Sequence, residues 1–264
     1  MGADRVLAAA ASAADDAWTG AVDRADRSWL LESVAQGADG TPTSRLDRIV
    51  EAAVLDAVQG HGVNVLSEEA GWIDRGSVRT LVIDPVDGTG NSAAGVPFSA
   101  FTAAMVEDDR FVEGLTLWLD TGQRWWGRVD APARRATTGR RCAAGSTVSM
   151  IRPKDDPAAF LAVAATAERI RVLGSSSLEA ALVADGVFDA FVDPGTRTHR
   201  IVDLAAAVVL VEGAGGVVVD VHGRPVTFTT DITRRWSGVA AATAALADEL
   251  VTLVRDAIGQ PAAG

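Results

Sequence analysis

The sequence predicts an α/β fold in which helices and mixed β-sheets alternate along 264 residues. Two patterns predict it. Short β-prone runs, ended by Gly, Pro or Asp turns, are interleaved with Ala-rich segments of helical period. Between residues 98 and 129 the strands instead follow one another directly, in antiparallel style. Hydrophobic residues make up 48% of the chain, enough for a sizeable core.

Taken in order, residues 4–19 are Ala-rich and helix-prone. Residues 36–43 are a turn cluster, punctuated by Asp39-Gly40 and Pro42. Thr43 or Ser44 can cap the next helix, whose apolar positions Leu46, Ile49, Val50, Ala53, Val54 and Ala57 recur at helical spacing. Asp47 and Glu51 fall beside that stripe, and spacing alone makes them a solvated acidic face. Val63–Leu66 is a short strand that ends at Ser67-Glu68-Glu69. Thr80–Ile83 is another and runs into Asp84. Pro85 should end its ladder, because proline has no N–H and a fixed φ. A hairpin-like return between these strands would bring Glu68 and Asp84 together.

Further strands are expected at 98–106, 111–118 and 124–129, with Trp125 and Trp126 as sheet-face or core aromatics. The basic, small-residue stretch 130–146 is a loop and a boundary. It separates two coupled halves of one unit, about 1–135 and 136–264. Beyond it come a strand at 147–152, a helix at 155–168 with Pro157 near its first turn, and a strand at 170–173. Gly174-Ser-Ser-Ser177 caps another helix, and 187–192 is a strand. Asp193-Pro-Gly and residues 196–200 form a polar loop. Asp203 heads a small-residue helix that ends in Gly213-Ala-Gly-Gly216; a carboxylate is favoured electrostatically at a helix start. A strand at 217–221, a strand-like Gly-Val-Ala after Ser237 and then a long amphipathic helix to 258 complete the chain.

Charge and composition exclude several classes. A net charge of −11 disfavours nucleic acid and anionic lipid as partners. The longest apolar run, Leu204–Val211, has eight residues, far short of a membrane span. The N-terminal stretch reads as an amphipathic helix rather than a signal peptide. Cys142 is the single cysteine, which leaves no intramolecular disulfide or Cys-based zinc site and fits a reducing cytoplasm. His61, His199 and His222 are too scattered for a His-rich metal site.

The chemistry concentrates in Asp84-Pro-Val-Asp-Gly-Thr89. Two carboxylates stand at the mouth of a buried strand, beside the N–H groups of a glycine-rich turn. Carboxylates bind hard cations, and turn N–H groups bind anions. A cation held next to an anion is what phosphate-ester chemistry needs. On so acidic a surface, metal is also what lets a phosphorylated substrate approach.

Glu68, Asp84, Asp87 and Asp203 each fall where a strand ends or a helix begins. Together they resemble the inositol monophosphatase superfamily. The Glu68-Glu69 pair matches its first motif, and Asp84-Pro85-Val86-Asp87-Gly88-Thr89 matches the second. Asp203-Leu-Ala-Ala with Ala214-Gly215-Gly216 matches the third. The resemblance runs from about residue 4 to 255. Ala38-Asp39-Gly40-Thr41-Pro42-Thr43 with Asp47, Ser67-Glu-Glu, Gly95-Val-Pro-Phe98 and Arg200-Ile-Val-Asp203 are similar to the archaeal-type fructose-1,6-bisphosphatase/inositol monophosphatase branch.

The resemblance implies an alternating α-β-α-β-α sandwich of the sugar phosphatase type. It implies a phosphomonoesterase that uses two or three Mg²⁺ ions, with Mn²⁺ as a substitute. Glu68, Asp84 and the Val86 carbonyl would hold one ion, and Asp84, Asp87 and Asp203 a second. Asp47 and Thr89 would orient and deprotonate the attacking water, with Glu68 sharing a further ion. Asp87, Gly88 and Thr89 would line the phosphate position; Asp193 and Arg200 would contact the alcohol part. The substrate would be a small phosphorylated metabolite, inositol 1-phosphate or fructose 1,6-bisphosphate first. Histidinol phosphate, a 3′-phosphoadenosine nucleotide or a specialised sugar or nucleoside phosphate come behind. A non-catalytic metal-binding member is the alternative of another class. Family members are often homodimers or homotetramers. Gly90, Ser92, Val202 and Gly213 depart from the commoner family residues without touching a ligand. No lysine stands between residues 30 and 45, where many members carry one on a mobile loop.

Overall fold

The computed structural model describes residues 3–131, 135–154 and 156–259. The start of the helix expected at Asp155 and part of the 130–146 loop lie outside the described residues.

The first half begins with α1 (Arg5–Arg24), a short α2 (Arg27–Leu30), and a hairpin of β1 (Ser33–Gln36) and β2 (Pro42–Ser44). α3 (Arg45–Val58) and a 3-10 turn (Gln59–His61) follow. Then come β3 (Asn64–Ser67), β4 (Gly71–Ile73), β5 (Arg79–Asp87), α4 (Thr89–Ala94), β6 (Ala100–Glu107), β7 (Arg110–Trp118) and β8 (Arg124–Arg128). The second half carries β9 (Thr147–Met150), α5 (Ala158–Thr166), β10 (Arg169–Arg171), α6 (Ser176–Ala184) and β11 (Ala190–Val192). It closes with α7 (Ile201–Gly213), β12 (Val217–Asp220), β13 (Gly238–Ala241) and α8 (Ala244–Gly259).

These elements stack in five layers, α-β-α-β-α. One sheet has six strands in the order β4-β3-β5-β6-β7-β8, and the other five in the order β10-β9-β11-β13-β12. Alternation along β5 shows how the layers form. Leu81 and Ile83 point to one face and join Leu7, Ala14, Leu46 and Val50 of α1 and α3. Val82 points to the other and joins Leu178, Ala206 and Leu210 of α6 and α7. Phe191 and Ala240 of the second sheet complete that middle core. Met150, Val192, Val239 and Ala241 face outward onto Val163, Leu246 and Leu250 of α5 and α8.

Several local expectations are corrected. Pro85 does not end its strand. β5 runs to Asp87, and the register shifts between Asp84 and Asp87, so the proline sits in an irregular stretch that spares the ladder its missing N–H. Glu68 and Asp84 are not joined by a hairpin return: β3 and β5 are parallel, with Ser67 opposite Ile83, so both acids emerge at the same sheet end. Asp47 and Glu51 are not solvated but 8% and 6% exposed. Asp47 is held by Ser44 and Thr89, and Glu51 accepts from the Ser67 hydroxyl at the end of β3 and, at 2.9 Å, from the Ala70 N–H of the turn after it. The strand expected at 187–192 is only Ala190–Val192. The turn cluster at 36–43 is the loop of the β1–β2 hairpin.

Candidate active site

Asp47 is the third residue of α3 and closes a capping box. Its N–H donates to Ser44 Oγ at 3.1 Å, and its Oδ2 accepts from the Ser44 N–H at 3.2 Å. The box fixes the rotamer and aims Oδ1 at the hydroxyl of Thr89, 2.9 Å away. Thr89 opens α4, and the same hydroxyl lies 2.8 Å from the Val86 carbonyl. Gly88, between them, has φ of 88°, and a Cβ there would lie 3.0 Å from the Phe98 carbonyl oxygen. Only glycine meets both demands, so the turn after Asp87 requires it.

Glu68, Asp84 and Asp203 each offer a carboxylate oxygen, all within 4.8 Å of one another. They come from the end of β3, from β5 and from the first turn of α7. Burial pushes Asp84 well above the usual carboxylate range, and the charges of Glu68, Asp87 and Asp203 add to it. Burial does the same to Glu68; Arg200 opposes it, while Asp203, Glu69 and Asp47 reinforce it. Asp47 is raised too, by burial, against the pull of its bonds to Ser44 and Thr89. Asp87 stands outside the trio. Its Oδ2 accepts from Ser175 Oγ at 3.0 Å and from the Ser177 N–H and Oγ, both at 2.6 Å. Burial raises it, then the Asp203 charge, against those bonds.

The trio fits a hard divalent cation. Its donors are all oxygen, the set that suits Mg²⁺ and Mn²⁺. Oxygens on opposite sides of Mg²⁺ lie roughly 4.2 Å apart, twice the metal–oxygen distance. Acids crowded this closely in a buried site disfavour ionisation until a cation joins them.

Arg200 and Asp193 differ from expectation. Arg200 is tied into a polar network by several partners. Its Nε donates to Asp39 Oδ2 at 2.6 Å, and its Nη2 contacts Asp39, Thr41 Oγ1 at 3.0 Å and Glu68 Oε1 at 2.8 Å. Arg235 reaches the same Asp39 carboxylate at 3.2 Å. Asp193 is fully buried, so it cannot touch a substrate directly. Its Oδ1 accepts from the Thr196 N–H at 2.7 Å and Oγ1 at 2.8 Å, which shapes the loop before Arg200. The residues not foreseen are Asp39, Arg235, Ser175 and Ser177. Asp39 stood in the Ala38–Thr43 motif, and the serines stood in a run noted only as a helix cap.

The layered fold and its buried acids are those of a phosphatase, a phosphoric monoester hydrolase, and comparison with known proteins agrees. The family model described as "Inositol monophosphatase family" matches residues 3–258, and the chain belongs to that family. A fructose-1,6-bisphosphatase/inositol-1-monophosphatase of Thermococcus kodakarensis is 31% identical over 85% of this chain and 88% of its own. Inositol-1-monophosphatase ImpA of Mycolicibacterium smegmatis is 32% identical over 70% and 71%. A solved inositol monophosphatase–fructose 1,6-bisphosphatase superposes with a TM-score of 0.85 at 26% identity, covering 96% of this chain and all of that one. Among the described residues no helix is long and apolar enough to cross a membrane.

Proposed function

We propose that the chain is a Mg²⁺-dependent phosphomonoesterase acting on a small sugar or cyclitol phosphate, with inositol 1-phosphate and fructose 1,6-bisphosphate as leading substrates. The observation that carries this reading is the Glu68–Asp84–Asp203 trio, within 4.8 Å, with Asp84 and Asp203 buried and Glu68 half-buried. Both substrates appear in the names of the relatives.

Glu68, Asp84, Asp87, Asp203 and the Val86 carbonyl would hold two or three ions, Mg²⁺ or Mn²⁺. Bound there, the ions supply charge neutralisation for the phosphate and a more acidic water. The chain's own groups do the rest. Asp47 accepts the hydrogen of the Thr89 hydroxyl, so the pair can take a proton from a water beside it. Gly88 and Thr89 N–H groups hold phosphate oxygens at the turn. Ser175 and Ser177 fix the Asp87 carboxylate. The metal and phosphate groups come mainly from residues 1–135, while residues 136–264 contribute Asp203 and the substrate side. A cytoplasmic homodimer or homotetramer is part of the same reading.

Phosphate release is measured over inositol, fructose, histidinol, sugar and nucleotide phosphates, with Mg²⁺ and after chelation. Release from a cyclitol or sugar ester that stops on chelation and returns with Mg²⁺ is expected. Tight Mg²⁺ binding without turnover of any ester would instead favour a non-catalytic member.

A further inference from the structure

Asp193 also belongs to a second constellation, beside the serines that hold Asp87. Ser176, the first residue of α6, has its Oγ 2.9 Å from Nε2 of His199. His199 Nδ1 lies 3.4 Å from Asp193 Oδ2, and both residues are buried. The imidazole packs edge-on against Phe191, centroids 5.6 Å apart. Ser176 is half-buried and stands between Ser175 and Ser177, the two serines that grip Asp87. A hydroxyl, an imidazole and a carboxylate are therefore in line at the edge of the acid cluster.

Such a trio can activate a serine nucleophile or hand out a proton. The surroundings decide between these. The Ser177 N–H, which could stabilise an oxyanion at the helix start, is already bound to Asp87. The neighbouring charges are negative. Burial opposes a charge on His199, but Asp193, Asp203 and Asp87 outweigh it and lift its pKa above the ordinary value. Nδ1 also lies 3.4 Å from the Gly238 N–H. A charged ring donates from Nδ1 to Asp193; a neutral ring that accepts from Gly238 keeps its hydrogen on Nε2. In the charged ring, and in the neutral tautomer that accepts from Gly238, Nε2–H faces Ser176, so the ring enters the step as a donor; the neutral ring left after the transfer carries its hydrogen on Nδ1, toward Asp193.

We propose that Ser176, backed by His199 and Asp193, supplies the proton that the leaving alkoxide needs when the phosphate ester is cleaved. The proposal rests on the phosphatase reading above. The P–O bond breaks, and its electron pair stays on the alcohol oxygen. That oxygen takes the Ser176 hydroxyl proton, and Ser176 takes the Nε2 proton of the charged ring. The neutral ring keeps Nδ1–H on Asp193 and is recharged from solvent. Ser176 touches the reacting oxygen; His199 and Asp193 act through it.

The leaving group is the test. A 4-nitrophenolate leaves without a proton, whereas an alkoxide does not. Turnover of 4-nitrophenyl phosphate and of inositol 1-phosphate or glycerol 2-phosphate is compared in wild type, Ser176→Ala, Ser176→Thr and His199→Gln. General acids contribute roughly 10²–10⁴-fold, so Ser176→Ala should lower the alkyl-to-aryl kcat ratio about 10²-fold with little change in KM. Ser176→Thr should restore the ratio, and His199→Gln, if its melting curve shows a folded protein, should lower it like Ser176→Ala. An unchanged ratio in Ser176→Ala, whether both esters fall together or neither falls, overturns the relay while leaving the phosphatase standing. Wild-type protein inert toward every ester overturns the phosphatase reading, and the relay with it.

Discussion

Asp84 and Asp220 are both strand aspartates with 2% exposure, and they have opposite surroundings. Asp220, the last residue of β12, accepts the N–H groups of His222 and Arg224, both at 2.9 Å, and the Arg224 guanidinium at 2.6 Å. Burial works against its charge, yet these bonds hold its pKa below the usual range. Asp84 accepts one N–H, from Val86 at 3.1 Å, and meets the charges of Glu68, Asp87 and Asp203, against which Arg200 works as the one opposing charge. Equal burial therefore gives an acid neutralised by a cation in the second sheet and one crowded by like charges in the first. Groups kept against their own solvation preference are a mark of function.

Substitution should separate the two acids most sharply. Asp84→Asn should lower kcat about 10³-fold, because a bound metal supplies several kcal/mol of charge stabilisation. It should also raise the melting temperature of metal-free protein, since one buried repulsion is gone. Asp220→Asn should do the reverse, leaving kcat near wild type and costing about 1–3 kcal/mol through lost buried bonds. Equal effects of the two on both readouts would erase the distinction.

Thr89→Val comes next. It removes the hydroxyl shared by Asp47 and Val86 but no carboxylate, so kcat should fall about 10²-fold. Mg²⁺ binding by calorimetry should be unchanged. Loss of Mg²⁺ affinity would move Thr89 from the proton path to the metal site.

A smaller effect concerns pH. Glu179 in α6 is buried against Ser149, and burial pushes its pKa up to about 7. The native state then holds a proton that the unfolded chain has lost. Its contribution to stability therefore falls as pH rises from the ordinary 4.5 to about 7. Denaturant titrations of metal-free wild type should show this decline, and Glu179→Gln should remove on the order of 3 kcal/mol of it. A Glu179→Gln profile as steep as wild type would place the slope on other acids.

The same contrast explains what the sequence could show. Asp84–Thr89 and the Ser44 cap act within one turn of chain, so spacing reveals them. The alternation of helices and strands followed from periodicity, and the layer order from the resemblance carried by the family motifs. Arg200 was misplaced because its partner Asp39 lies 161 residues away, and no local pattern carries that distance. Asp193 was misplaced because loop spacing does not say whether a carboxylate faces out or folds under its own loop. The hairpin strands β1 and β2 are four and three residues long and pair only with each other, which leaves no periodic signal. Asp47 escaped its solvated reading only through the family motif, since its partner Thr89 lies 42 residues on, beyond any local pattern.

The central claim is that the Asp84 cluster is a divalent-cation site, and a calorimetric titration of Mg²⁺ into wild type and Asp84→Asn tests it most directly. Saturable binding in wild type that is lost or weakened at least tenfold in Asp84→Asn is the predicted result. Mg²⁺ at 100 times its Kd should then stabilise wild type by about 2.7 kcal/mol. Equal binding by the two proteins, or none by wild type, would contradict the account.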